Sequence, residues 1–449
     1  MRIDSRSILM LLLSICFDRS EISAQQPTEQ EATAAIHKSV TFFRENCSAG
    51  GSGGGGGGYI FRLSADLSKR EGEGKVGPTT AWIEPPATPA VGMAYLEAWQ
   101  LCGDPLLKEA ALETAEALLQ GQMLSGGWTE QIEFDPADRV RYAYRVDLKD
   151  TPPGKRRNVT TFDDDKSQWC VRFLMQLDKE LNFENEKIHE ATMYALDAFV
   201  KAQYTIGAWP QRYTEFPEAS ESMVLKASYP ETWSRTYPAE KYAEYYTLND
   251  NTLSDLIETM LDAWDIYQEE RFLKSAKSGG EFLLLAQLPD PQPGWAQQYN
   301  REMQPAWARK FEPPAITGGE SQGVMRTLLL LYRRTGDKKF LEPIPRALAY
   351  YKKSVLPDGR MARFYELKTN QPLYFTKDYQ LTDSDADMPT HYGFKTGNGF
   401  DRIEREYNEL LKTPADKLWT PRQNNPPRYS DALAKQARQL IDALDSRGA

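Results

Sequence analysis

The sequence predicts an all-α chain of repeated helix pairs, and three observations carry that prediction. Apolar residues recur at steps of three and four over long stretches, strand-like alternation is rare and short, and a tryptophan turn recurs after successive amphipathic helices. The first stripe is Leu107, Ala111, Ala115, Leu118 and Leu119, in a helix that Pro105 can start. The turns read Gly121-Gln122-Met123 to Gly127-Trp128, Ala202-Gln203-Tyr204 to Ala208-Trp209-Pro210-Gln211, and Ala286-Gln287-Leu288 to Gly294-Trp295-Ala296-Gln297-Gln298-Tyr299. A fourth runs from Ser354 through Pro357-Asp358-Gly359 to Phe364-Tyr365. The tryptophans lie 81 and 86 residues apart, room for two helices and a loop per unit. Gly103-Asp104 and Gly336-Asp337 fall where two of the units turn between helices. Such pairs stack into a solenoid or close into a ring, and in a ring the turns gather at one end and build a groove.

Composition narrows the function. The chain has 449 residues, 64 Asp+Glu against 54 Lys+Arg, and a net charge of −10, which argues against a nucleic-acid binder. Three scattered histidines (His37, His189, His391) make a multi-histidine zinc site improbable, and four cysteines do not form a disulfide scaffold. Arg2 and Arg6 precede the apolar run Ile8 to Phe17, too short for a membrane span and suited to a signal-peptide core. The expectation is a signal peptide over 1–24, a single mature domain over 25–449, and a secreted or periplasmic protein with no membrane anchor. Removal of the segment takes Cys16 away and leaves Cys47, Cys102 and Cys170, so at least one thiol stays unpaired. The tract 50–58, almost pure glycine, lacks the lysine and spacing of a phosphate loop and reads as a surface loop.

Two acidic motifs precede helices in successive units: Thr161-Phe162-Asp163-Asp164-Asp165 and Thr247-Leu248-Asn249-Asp250-Asn251. Asp and Asn are ordinary helix caps, which explains either motif alone. Two in equivalent positions point further, because adjacent aspartates repel unless a cation sits among them. Oxygen donors without histidine suit calcium or magnesium.

The turns Gly207-Ala208-Trp209-Pro210-Gln211, Gly294 to Tyr299, Trp307-Ala308-Arg309-Lys310-Phe311-Glu312-Pro313-Pro314 and Arg363 to Phe375 resemble those of the family ten polysaccharide lyases, the α/α-toroid pectate lyases, over about 79–394. The resemblance implies an (α/α) toroid with few short strands. It also implies calcium-dependent β-elimination of polygalacturonate to 4,5-unsaturated oligogalacturonides. By the same resemblance, Asp163 matches a metal- and substrate-site acid, Asp250 a calcium ligand, and Asp164 a ligand where the family often has Asn. Arg363 and Lys377 match cations lining the groove, with a surface pair to Glu366 and a solvated lysine beside Asp378 as the respective ordinary alternatives. Arg309 matches the arginine base, with an ion pair to Glu312 as the alternative and Lys377 as second choice for the base. Trp209 and Trp295 are assigned to substrate binding, against the ordinary use of such rings in the core. A monomer acting on polygalacturonate or oligogalacturonides is expected. A toroidal uronide hydrolase and an inactive polysaccharide-binding relative are the competing classes; only elimination makes an ultraviolet-absorbing product.

Overall fold

A computed structural model describes residues 26–50, 56–148, 151–218, 224–420 and 430–449. The expected signal peptide and the middle of the glycine tract lie outside these residues. The chain divides into two compact units, one of residues 1–161, 165–198 and 422–449, the other of 162–164 and 199–421.

The first unit carries helices α1 (Glu29–Asn46), α2 (Thr88–Cys102), α3 (Pro105–Gly121), α4 (Lys166–Glu180) and most of α5 (Glu186–Lys201), with α11 (Asp431–Ala443) supplied by the chain's last segment. Local signals explain where the helices begin. Thr28 and Glu31 form a reciprocal capping box at the start of α1. Gly103 ends α2 in the left-handed conformation (φ 70°), and Asp104 caps α3 by accepting from the Leu106 amide at 2.8 Å, with Pro105 in the first turn. The expected stripe of α3 is buried throughout. The glycine tract departs from expectation at its end. Gly57 and Gly58 are buried, and a Cβ on Gly57 would fall 2.1 Å from the Glu113 carbonyl, so glycine is needed there for close packing. Cys47, Cys102 and Cys170 are all free thiols.

The second unit carries α6 (Thr252–Tyr267) and α7 (Glu270–Leu285), packed against each other, then α8 (Glu320–Thr335), α9 (Ile344–Lys353) and α10 (Phe400–Leu410). Gly336 (φ 70°) and Asp337 repeat the helix-ending device of Gly103-Asp104. Its largest sheet has four antiparallel strands in the spatial order Leu381–Thr382, Pro372–Phe375, Phe364–Glu366, Ala315–Thr317. Every strand among the described residues has four residues or fewer. The class is therefore the expected one, all-α with repeated helix pairs and few short strands, as an α/α-toroid chain requires.

The tryptophan turns are one device used three times. The indole N–H of Trp128 donates to the Leu118 carbonyl, that of Trp209 to Phe199 and that of Trp295 to Leu283, each at 2.8 Å. All three rings are fully buried. The glutamine that opens each turn clamps it. Gln122 donates to Gly126 and Ala191, Gln203 to Gly207 and Ser275, and Gln287 to Pro293 and Pro343. Gly207 has φ +100° and a Cβ there would meet the Ser278 carbonyl at 2.2 Å, so this turn tolerates no side chain.

Candidate active site

The site is assembled in the second unit by two sharp turns and one strand. In both acidic motifs two successive residues adopt left-handed backbone: Asp164 (φ 51°) and Asp165 (φ 59°), then Asp250 (φ 49°) and Asn251 (φ 58°). The residue before each turn hydrogen-bonds the same way, Phe162 N–H to the Gln211 carbonyl at 2.9 Å and Leu248 N–H to the Gln297 carbonyl at 2.8 Å. The motifs are therefore equivalent, and their register pairs Asp250 with Asp164 and Asn249 with Asp163. Asp and Asn tolerate this conformation better than most residues, which gives the turns a local reason for their composition.

The turns bring three expected ligands together. Asp163, Asp164 and Asp250 each offer a carboxylate oxygen, and these atoms all lie within 4.8 Å of one another. Asp163 is oriented from outside the cluster, accepting from Gln211 Nε2 at 2.7 Å and from Arg212 at 2.9 Å. Asp250 has its carboxyl pushed up to about 7, first by burial and then by the charges of Asp164 and Asp163, despite the opposing pull of Arg309 and Arg363. Three crowded carboxylates of this kind match the donor chemistry of a hard divalent cation.

Two arginines flank the cluster. Arg309 Nη2 lies 3.8 Å from Asp250 Oδ2, and Arg363 Nη2 lies 3.9 Å from Asp250 Oδ1. Arg363 is delivered by the sheet: the strand that follows it pairs Phe364 with Thr317, and its carbonyl accepts from Gly318 N–H at 3.0 Å. That register sets it beside buried Glu320, to which it donates at 2.8 Å. The expected alternative partner, Glu366, instead binds Arg235. Arg309 is held by Glu312, as the alternative reading anticipated: Nε donates to Oε2 at 2.9 Å and Nη2 to Oε1 at 2.5 Å. Burial works against charge on both partners, and the fork outweighs it, raising the Arg309 pKa and lowering that of Glu312.

Other expected site residues lie elsewhere. Trp209 and Trp295 are 0% exposed, so the substrate-binding role assigned to them is corrected: these rings fill the core and cannot stack on a sugar. Lys377 is 68% exposed and pairs with Asp387 at 2.9 Å, which raises its pKa. Among the described residues no contact joins it to the acid cluster. Two residues went unassigned in the sequence. Tyr392 donates to Glu312 Oε1 at 2.9 Å, and its ring lies 4.3 Å from the Arg363 guanidinium carbon and 5.5 Å from that of Arg309. Glu320 is the other. The Arg-x-x-Glu spacing already marks Glu312 as a partner of Arg309, whereas nothing local marks Tyr392.

The second unit thus sets a cluster of three carboxylates beside two arginines. The chain belongs to the pectic acid lyase family, whose model matches residues 122–361, just over half of the chain, and it is a polysaccharide lyase. Among solved structures, a mutant family 10 polysaccharide lyase from Cellvibrio cellulosa in complex with trigalaturonic acid aligns with a TM-score of 0.48 and 19% identity, covering 71% of this chain and 96% of that one. A second structure of that organism's family 10 lyase gives 0.47 and 21%, covering 66% and 90%. A GH76 α-mannanase from Bacteroides thetaiotaomicron gives 0.41 and 11%, covering 91% and 87%. No curated protein sequence matches the chain. The family assignment rests on the sequence match, not on these likenesses.

Proposed function

We propose that the chain is an exported, calcium-dependent pectate lyase that cleaves polygalacturonate by β-elimination, leaving 4,5-unsaturated oligogalacturonides. The observation that carries the reading is the cluster of Asp163, Asp164 and Asp250 between Arg309 and Arg363, in a chain of the pectic acid lyase family. Export is supported by the apolar run Ile8 to Phe17 behind two arginines.

Asp163, Asp164 and Asp250 would hold the cation. A bound calcium ion would neutralise a uronate carboxylate and so acidify the neighbouring C5–H. The remaining chemistry belongs to side chains. Arg363 places fixed positive charge where negative charge builds on the substrate during proton removal. Arg309 in its neutral form is our proton acceptor, by the resemblance of its Trp307-Ala308-Arg309 turn, and takes the C5 proton to become the charged guanidinium. The C5–H pair becomes the C4–C5 double bond, the C4–O bond breaks, and the departing oxygen takes a proton from solvent. The Glu312 fork opposes proton loss from Arg309, so the neutral acceptor form gains population as the pH rises. Lys377, exposed and paired with Asp387, is the weaker candidate for the base.

The test is ultraviolet absorbance on polygalacturonate with and without chelator. Unsaturated product that disappears in chelator and returns with calcium supports the reading. Reducing ends without absorbance indicate hydrolysis and overturn it.

A further inference from the structure

We propose that Glu312 and Tyr392 are positioning residues that aim Arg309 beside Asp250, leaving its Nη1 nitrogen without a partner in the fork. The inference rests on the reading of this site as a lyase centre holding a cation. Glu312 is 1% exposed, and it takes three hydrogen bonds from Arg309: from the backbone N–H at 2.9 Å, from Nε at 2.9 Å and from Nη2 at 2.5 Å. The turn that carries both residues is closed by Glu312 N–H donating to the Arg309 carbonyl at 2.9 Å. A buried carboxylate forked in this way fixes the plane of the guanidinium as well as its position.

Two of the three guanidinium nitrogens face Glu312, and Nη1 makes no hydrogen bond among the described residues. The side chain is 40% exposed, so the fork does not seal Arg309 away from a substrate. Tyr392 fixes the fork in turn, by donating to Glu312 Oε1 while Phe311 packs on its ring at 4.7 Å. The same ring lies against Arg363 at 4.3 Å, so one aromatic side chain sets the placement of both cations around Asp250. Without the fork, the guanidinium that now stands 3.8 Å from Asp250 is free to close on that carboxylate and compete with the cation.

The test compares wild type, Glu312→Gln, Tyr392→Phe and Glu312→Gln combined with Arg309→Ala. Turnover on polygalacturonate is one readout and calcium binding by calorimetry, which needs no turnover, is the other. For Glu312→Gln we expect kcat to fall by roughly 10–100-fold with KM within about threefold, the loss typical of a misaimed group. Its calcium affinity should weaken several-fold and recover when Arg309 is also removed. Tyr392→Phe, which keeps the ring and loses only the donor, should shift kcat and calcium affinity in the same directions by less. The proposal is overturned if Glu312→Gln keeps wild-type kcat and calcium affinity, or if removing Arg309 fails to restore the affinity. Should Glu312→Gln not fold, unchanged kcat and affinity in Tyr392→Phe overturn it. A wild type that binds calcium but yields no unsaturated product refutes the lyase reading, and the affinity arm still decides the positioning role.

Discussion

Replacing Asp250 by Asn should stabilise the calcium-free protein while abolishing its activity. Asp250 sits with a carboxyl raised from 3.8 to about 7, because burial and the charges of Asp164 and Asp163 all disfavour its ionised form. A rise of that size has a ceiling on the order of 4 kcal/mol when each pKa unit is worth about 1.4 kcal/mol. Coulomb's law gives a similar scale, about 3–4 kcal/mol for two unit charges at the cluster's 4.8 Å in an effective dielectric near 20. The side chain is 27% exposed, and solvent screening lowers the expected gain to about 1–3 kcal/mol. The sign follows from proton binding. Folded wild type holds a proton on Asp250 up to a pH of about 7, whereas the unfolded chain releases it near 3.8. Wild-type stability without calcium therefore falls across that window and stays lowered above it, while Asn pays no such cost. Thermal unfolding in chelator should put Asp250→Asn several degrees above wild type at pH 8, at roughly 2–4 °C per kcal/mol. The gap should close as the pH is lowered toward 4. Calcium should raise the melting temperature of wild type only. A variant no more stable than wild type at pH 8 in chelator would refute the reasoning.

Arg309→Ala should lower kcat by roughly 10²–10⁴, the usual worth of a general base, while calcium and oligogalacturonate still bind in calorimetry. Lys377→Ala should instead raise KM more than it slows the bound complex; the reverse result moves the base assignment to Lys377. Trp209→Phe should lower stability by about 1–3 kcal/mol in chemical denaturation, through lost volume and a Phe199 carbonyl left without its indole donor. Trigalacturonate affinity should not change, since the ring is fully buried.

What could be read from the sequence is what local chemistry decides. Helix pairs follow from periodic apolar stripes, and their ends from Gly103-Asp104 and Gly336-Asp337, where a left-handed glycine and an Asp cap act within a few residues. The acid cluster was legible because both turns spell the same backbone conformation in Asp and Asn. Aromatic roles were not: Trp209 and Trp295 have the composition of a sugar platform, and only packing shows that both rings face the core. Long-range pairing was equally hidden. Arg363 meets Glu320 because strand register carries it there, and Lys377 meets Asp387 because a loop folds back. Tyr392 reaches Glu312 from 80 residues along the chain, and no local pattern announces that contact.

The most direct test of the central claim is the ultraviolet absorbance of purified protein acting on polygalacturonate in three conditions: as purified, in excess chelator, and with calcium restored. The account predicts an absorbing 4,5-unsaturated product in the first and third and none in the second, with Asp250→Asn silent in all three. Sustained absorbance in excess chelator would contradict the role of the acid cluster, and chain cleavage without absorbance would contradict elimination itself.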